Sequence, residues 1–192
     1  MVVKEEFFDQ AKDLFEETGV KITTDGHKIL GAACGKRSFV DEYVADKIDE
    51  WKDEIEMLSK IAETYPHAAY TAFTRAIVCK WQYLMRTIDG IGSMFQPLEN
   101  AITAKLIPAL TGRGPCSSVE RTILSLPTRH GGLNVVNPVE VANSHYNASL
   151  KIIEPLKKMI ISQTTTYKKI YLHDIKDLRR QKNQYHQQLA TE

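Results

Sequence analysis

Three pairs of adjacent acids, Asp41-Glu42, Asp49-Glu50 and Asp53-Glu54, are the first residues in this 192-residue chain whose types could do chemistry. Two-metal catalysis needs carboxylates converging on ions about 4 Å apart. Between these acids, however, Val44, Ile48, Trp51, Ile55 and Leu58 recur every three or four residues. That spacing sets the acids on the solvent side of an amphipathic helix, with partners such as Asp49 to Lys52 and Glu56 to Lys60. The six histidines are scattered. The cysteines, Cys34, Cys79 and Cys116, form no C-x-x-C pair and have no histidine at metal-ligand spacing, the pattern of a reduced intracellular protein. Gly131-Gly132 is followed by Leu133 and Asn134 rather than the Lys and Ser/Thr of a phosphate loop, and no G-x-S-x-G occurs. From spacing alone no active site, metal site or cofactor site is read.

Charge offers more. Residues 1–100 carry twelve Lys and Arg against eighteen Asp and Glu, while residues 101–192 carry thirteen against six, although the whole chain is only +1. A basic second half suits nucleic acid, an anionic membrane surface or the acidic half of its own fold. The opening "MVVKEEFFDQ" lacks the apolar core of a signal peptide, and no apolar run approaches the roughly 18 residues that span a bilayer. An intracellular protein with no membrane partner is expected, its compartment otherwise open.

The elements that must position these charges read as helix after helix. Val3, Phe7, Phe8, Ala11, Leu14 and Phe15 fall at helical spacing before Gly19. "VKITT" and "HKILGAA" flank Asp25-Gly26, which predicts a β-hairpin near residues 20–33 with its type I′ turn at that dipeptide. Ser38 with Asp41 resembles a capping box and predicts a helix to about Glu63; Pro66 opens another that ends at Asp89-Gly90. A helix around Leu98, Ile102 and Leu106 should kink or end at Pro108. Ser117 and Glu120 form a second capping box, and the helix they start stops at Leu126-Pro127. "SLPTRHGGLNVVNP" then turns a corner, with Gly131 and Gly132 expected at positive φ, and Pro138 restarts a helix that Pro155 breaks or bends. The expectation is a mainly α protein, a bundle of about five to six helices with one small hairpin. It divides into a helical domain over 1–162 and a polar, basic C-terminal helix or arm over 163–192.

Four stretches taken together, "TGVKITTDGHKILGAACGKRSFVDEYV", "PHAAYTAFTRAIVCKWQYLMRTIDGI", "LIPALTGRGPCSSVERTILSLPTRHGGLNVVNP" and "NSHYNASLKI", are similar in order to the region that follows the catalytic palm in reverse transcriptases of eukaryotic retrotransposons. The resemblance covers roughly residues 10–155. It implies that Lys28, Ile29, Leu30 and Gly31 correspond to the primer-grip hairpin and that the following helices correspond to a thumb lying against a primer–template duplex. It also implies that the palm, with its metal-binding aspartates, precedes the matched region and that the family's products continue past it, so that this chain is a catalytically inert fragment. A thumb grips phosphates without reading sequence. The candidate contacts to an RNA–DNA or DNA duplex are Lys28, Lys36, Arg37, Arg75, Lys80, Arg86, Arg113 and Arg129, each also readable as a solubilising residue. Trp51, Trp81 and Tyr83 suit base stacking chemically, but their helical register favours the core. The alternatives are a helical module that pairs with itself or a partner protein, and a transposon relic without a role.

Overall fold

A computed structural model describes residues 1–163 together with 176, 177 and 180. The arm expected over 163–192 therefore lies, apart from Gln163, Lys176, Asp177 and Arg180, outside the described residues. The protein is mainly helical, six helices with a two-stranded antiparallel hairpin, as the sequence pattern predicts. In chain order the helical segments are α1 (Phe8–Phe15), α2 (Arg37–Thr64), α3 (Pro66–Ala72), α4 (Val78–Thr87), α5 (Gln96–Ala101), α6 (Ile107–Thr111), α7 (Ser118–Ser125) and α8 (Pro138–Ile161); α3 runs into α4 and α5 into α6.

The core forms where the 28-residue α2 lies against α3, α5 and α6 while α4 and α5 pack on α8. Val44, Ile48, Trp51 and Ile55 line the inner side of α2, and Phe73, just past α3, answers with Trp81, Leu84 and Met85 of α4. Trp51 stacks on Phe95 with ring centroids 6.4 Å apart and meets Trp81 at 6.0 Å and an interplanar angle of 60°. Such offset and tilted pairs suit the ring quadrupoles. Both tryptophans thus belong to the core, the outcome their register favours.

Each of the two long broken helices changes register once. Phe73–Ile77 and Ile102–Leu106 are π turns, in which Val78 N–H reaches Phe73 C=O and Ile107 N–H reaches Ile102 C=O. The second explains why Pro108 does not end its helix. The wider turn ahead of it accommodates the ring and the missing N–H, and the helix continues to Thr111. Pro155 likewise neither breaks nor terminates α8, which continues to Ile161. The carbonyl it deprives of a donor belongs to Lys151, an exposed residue that water can serve.

The hairpin is displaced from its expected place. Its strands are β1 (Gly26–Ile29) and β2 (Ala32–Gly35), and the turn is Leu30-Gly31, at φ 50° and 87°, rather than Asp25-Gly26. Tertiary contacts decide this. The Tyr83 hydroxyl donates to Leu30 C=O at 2.6 Å and the Tyr43 hydroxyl to Gly31 C=O at 2.9 Å, which offsets a left-handed leucine's cost of about 1–2 kcal/mol. Gly26 is needed for contact instead, since a Cβ there would stand 2.2 Å from Phe39 Cδ1. The start of α2 also differs: Lys36 occupies the N-cap with no side-chain cap bond, and Asp41 pairs with Arg37 Nε at 2.8 Å instead of serving Ser38.

The capping box of α7 is formed as expected, with Ser117 Oγ accepting from Glu120 N–H and the Glu120 carboxylate accepting from Ser117 N–H at 2.8 Å. In the corner that follows, Gly131 has φ 83°, but Gly132 is required for a different reason: a Cβ would lie 2.1 Å from Leu126 C=O. The corner closes on α7 through Leu133 and Val135 N–H, both donating to Leu124 C=O, and on α3 through the Tyr70 hydroxyl, which donates to Leu133 C=O at 2.8 Å.

Beneath that corner lies a buried ion pair. Arg121 Nε and one terminal nitrogen hold the Glu99 carboxylate at 2.6 and 2.8 Å, its other terminal nitrogen donates to Val135 C=O at 2.6 Å, and Thr103 donates to Glu99 at 2.9 Å.

Three measurements check this account. Ser117→Ala should lower stability by about 1 kcal/mol in urea unfolding. Glu120 has its pKa lowered from 4.5, first by the Ser117 N–H and then by the Ser117 hydroxyl, so its contribution is present above pH 4.5 and fades as pH falls through the folded value. The stability gap between wild type and Glu120→Gln should accordingly close as pH falls from 4.5 through the lowered folded value. Glu99→Ala, which strands a buried guanidinium, should cost about 3–5 kcal/mol, whereas the double replacement Glu99→Leu with Arg121→Leu should cost markedly less.

Candidate nucleic-acid interface

The eight cations singled out in the sequence fall into three groups. Lys28, Lys36 and Arg37 belong to the hairpin and the start of α2, Arg75, Lys80 and Arg86 to the continuous α3–α4 helix, and Arg113 and Arg129 to the loops at either end of α7. An eight-residue helix separates the last two elements by about 12 Å.

The hairpin and α4 meet at the hairpin tip. Tyr83 on α4 holds the Leu30 carbonyl, and Arg86 stands one residue short of a helical turn beyond it. Lys28 Nζ lies 5.5 Å from the centroid of the Tyr43 ring, while the Tyr43 hydroxyl holds Gly31. Leu30 projects from this tip, 93% exposed. The tyrosines thus give a marginal two-stranded element the packing it lacks alone.

Several of the cations are occupied within the protein. Lys36 bridges Glu5 at 2.6 Å and Asp25 at 3.2 Å, tying the N-terminal segment to the hairpin; hydrogen bonding to Glu5, then to Asp25, raises its pKa above the ordinary lysine value. Arg37 pairs with Asp41 and donates to the carbonyls of Asp89 at 2.8 Å and Gly90 at 3.1 Å, placing a positive charge where α4 ends and its dipole favours one. Lys80 pairs with Glu54 on the acidic α2. Arg129 Nε donates to His130 Nε2 at 3.1 Å.

The guanidinium groups of Arg75, Arg86 and Arg113 are exposed and make no salt bridge or hydrogen bond with a described residue, although the Arg113 charge helps lower the pKa of Glu120. Arg113 stands at an open cleft of about 600 Å³ with Ile107, Cys116, Glu120 and Ile123. Around all of these the three cysteines remain unpaired, and among the described residues no group of three His, Cys, Asp or Glu is placed to hold a metal ion. No described helix is long and apolar enough to cross a membrane.

Residues that reasoning from sequence passed over carry much of the architecture. Arg121 is the clearest; its register one turn before Leu124, a residue packed on the core, is the signal that would have found it. Tyr83, which its register assigned to the core, is instead 41% exposed, and it and Tyr43 act through hydroxyls whose acceptors lie 53 and 12 residues away, pairs that no local pattern marks. Comparison with protein-family models, curated proteins and solved structures finds no match to this chain.

Tyr83→Phe removes the donor to Leu30 and should cost about 1 kcal/mol. It should also speed amide hydrogen exchange in β1 and β2 while leaving the amides of α2 protected.

Proposed function

We propose that this chain is a thumb-like element, resembling the post-palm region of retrotransposon reverse transcriptases, that grips a nucleic-acid duplex without reading its sequence and performs no polymerisation itself. The observation that carries the reading is the free guanidinium set. Arg75 and Arg86 stand on one helix and Arg113 in a loop, each exposed and none salt-bridged to a described carboxylate, although the Arg113 charge acts through space on Glu120. Guanidinium groups in this state are available for bidentate contacts to phosphate oxygens. Lys28, whose ammonium rests over a ring rather than a carboxylate, adds a fourth charge at the hairpin.

The internally paired cations have a different part. Lys36, Arg37 and Lys80 are already matched by Glu5, Asp25, Asp41 and Glu54, so their work is to fix the hairpin and α4 against the rest of the fold. They would contact a phosphate only by leaving these partners. Of the eight candidates, Arg75, Arg86, Arg113 and Lys28 touch the duplex, Lys36, Arg37 and Lys80 hold the frame, and Arg129 donates to its neighbour His130.

A salt titration with a short RNA–DNA hybrid tests it. Binding should be measurable at about 50 mM salt, and its logarithm should fall linearly with the logarithm of salt concentration. The variant carrying Arg75→Ala, Arg86→Ala and Arg113→Ala should bind more weakly to every sequence, with a salt slope shallower by up to about 3. Lys36→Ala should alter stability more than affinity. Absence of binding at the lowest salt would overturn the proposal.

A further inference from the structure

Of the eight candidate cations, Lys36 alone is held by two carboxylates at once, and both belong to residues 1–25. This segment carries seven Asp and Glu against three Lys. It forms a small unit closed on itself. Val3 N–H donates to Thr23 C=O and Thr23 N–H to Met1 C=O, each at 3.0 Å. α1 packs chiefly on the short turns at its two ends, Glu5–Phe7 and Glu16–Thr18, and Phe8 and Phe15 share a small cleft with Val20 and Ile22. The hydrophobic core, by contrast, takes in no residue before Ala33.

Polar ties hold the unit at the foot of the hairpin. Lys36 N–H donates to Asp25 C=O at 2.6 Å, and the Lys36 ammonium reaches the carboxylates of Asp25 at 3.2 Å and Glu5 at 2.6 Å. Both carboxylate side chains are 74% exposed, so water and salt reach the bridge and it can open. Lys36 follows β2, three residues or about 10 Å along the strand from Ala33, the register partner of Lys28. A nucleic-acid backbone that touches Lys28 therefore passes within reach of Lys36. To meet it, the ammonium has to leave Glu5 and Asp25.

We propose that the acidic N-terminal unit is an autoinhibitory latch, in which the Glu5 and Asp25 carboxylates occupy Lys36 in place of phosphate and hold down the affinity of the hairpin face for a duplex. The inference rests on the duplex-gripping reading and adds regulation to it. With the latch closed, the grip depends on Lys28, Arg75, Arg86 and Arg113. With it open, Lys36 joins them. A phosphate that displaces the two carboxylates gains little, because the counterion it sheds is taken up by the carboxylates it exposes. Where those carboxylates are neutral, the same contact gives a net release of counterions and a tighter complex.

The salt titration of the full chain with a short RNA–DNA hybrid tests this on the paired variant Glu5→Gln with Asp25→Asn. These isosteric changes lie at exposed side chains outside the core, so the fold is retained. The variant should bind up to about tenfold more tightly at about 50 mM salt, with a salt slope steeper by about 1. Asp9→Asn with Asp13→Asn removes the same charge from exposed positions of α1 that make no ion pair with a described residue, and should leave the slope at its wild-type value. Adding Lys36→Ala to the first pair should return affinity and slope to those of wild type. Equal gains from the two pairs, an unchanged slope in the first, or a gain that survives Lys36→Ala would overturn the latch and leave the duplex reading standing. A wild type that binds at no salt concentration would remove both.

Discussion

Arg121 uses its whole guanidinium fork below the surface: two nitrogens hold Glu99 on α5, and the third holds the carbonyl of Val135 in the corner after α7. A buried charge of this kind is tolerated only when every donor finds an acceptor. The constraint spreads outward. Val135 has to present its carbonyl inward, which fixes the path of the chain over Leu126, where Gly132 is the residue that fits. That path delivers Leu133 to the Tyr70 hydroxyl and Asn137 to the N-cap of α8. The direction in which α8 leaves the corner, and so which of its residues meet α4, follows from one ion pair.

Periodicity made the long elements legible. Val44, Ile48, Trp51 and Ile55 mark α2 without ambiguity, and the Ser117–Glu120 box marks the start of α7, because both signals are local and both agree with the packing. What could not be read were choices settled by distant partners. Asp25-Gly26 has the better turn chemistry, yet Leu30-Gly31 forms the turn because Tyr83 and Tyr43 wait for its carbonyls. Pro108 and Pro155 are strong helix breakers by rule. One is accommodated by a wider turn and the other by solvent, and neither device leaves a trace in the neighbouring residues.

The cations illustrate the same division. Their types and positions were visible, but whether each faces solvent or an internal carboxylate is decided by helices that meet only in three dimensions. Lys80 and Glu54 are 26 residues apart, as Lys36 and Glu5 are 31 apart. The acidic first half of the chain thus serves partly as an internal counterion for its own lysines, and of the eight candidate cations those outside its salt bridges are Lys28 and four arginines.

The two π turns carry one more implication. Each accommodates one residue more than an α-helix would need, so the apolar rows before and after Phe73–Ile77 and Ile102–Leu106 are out of phase. A descendant that lost the surplus residue would regain a regular helix but swing Trp81, or Pro108 and its neighbours, about 100° around the axis. Lineages that keep this fold should therefore conserve length through these two stretches more strictly than they conserve the side chains in them.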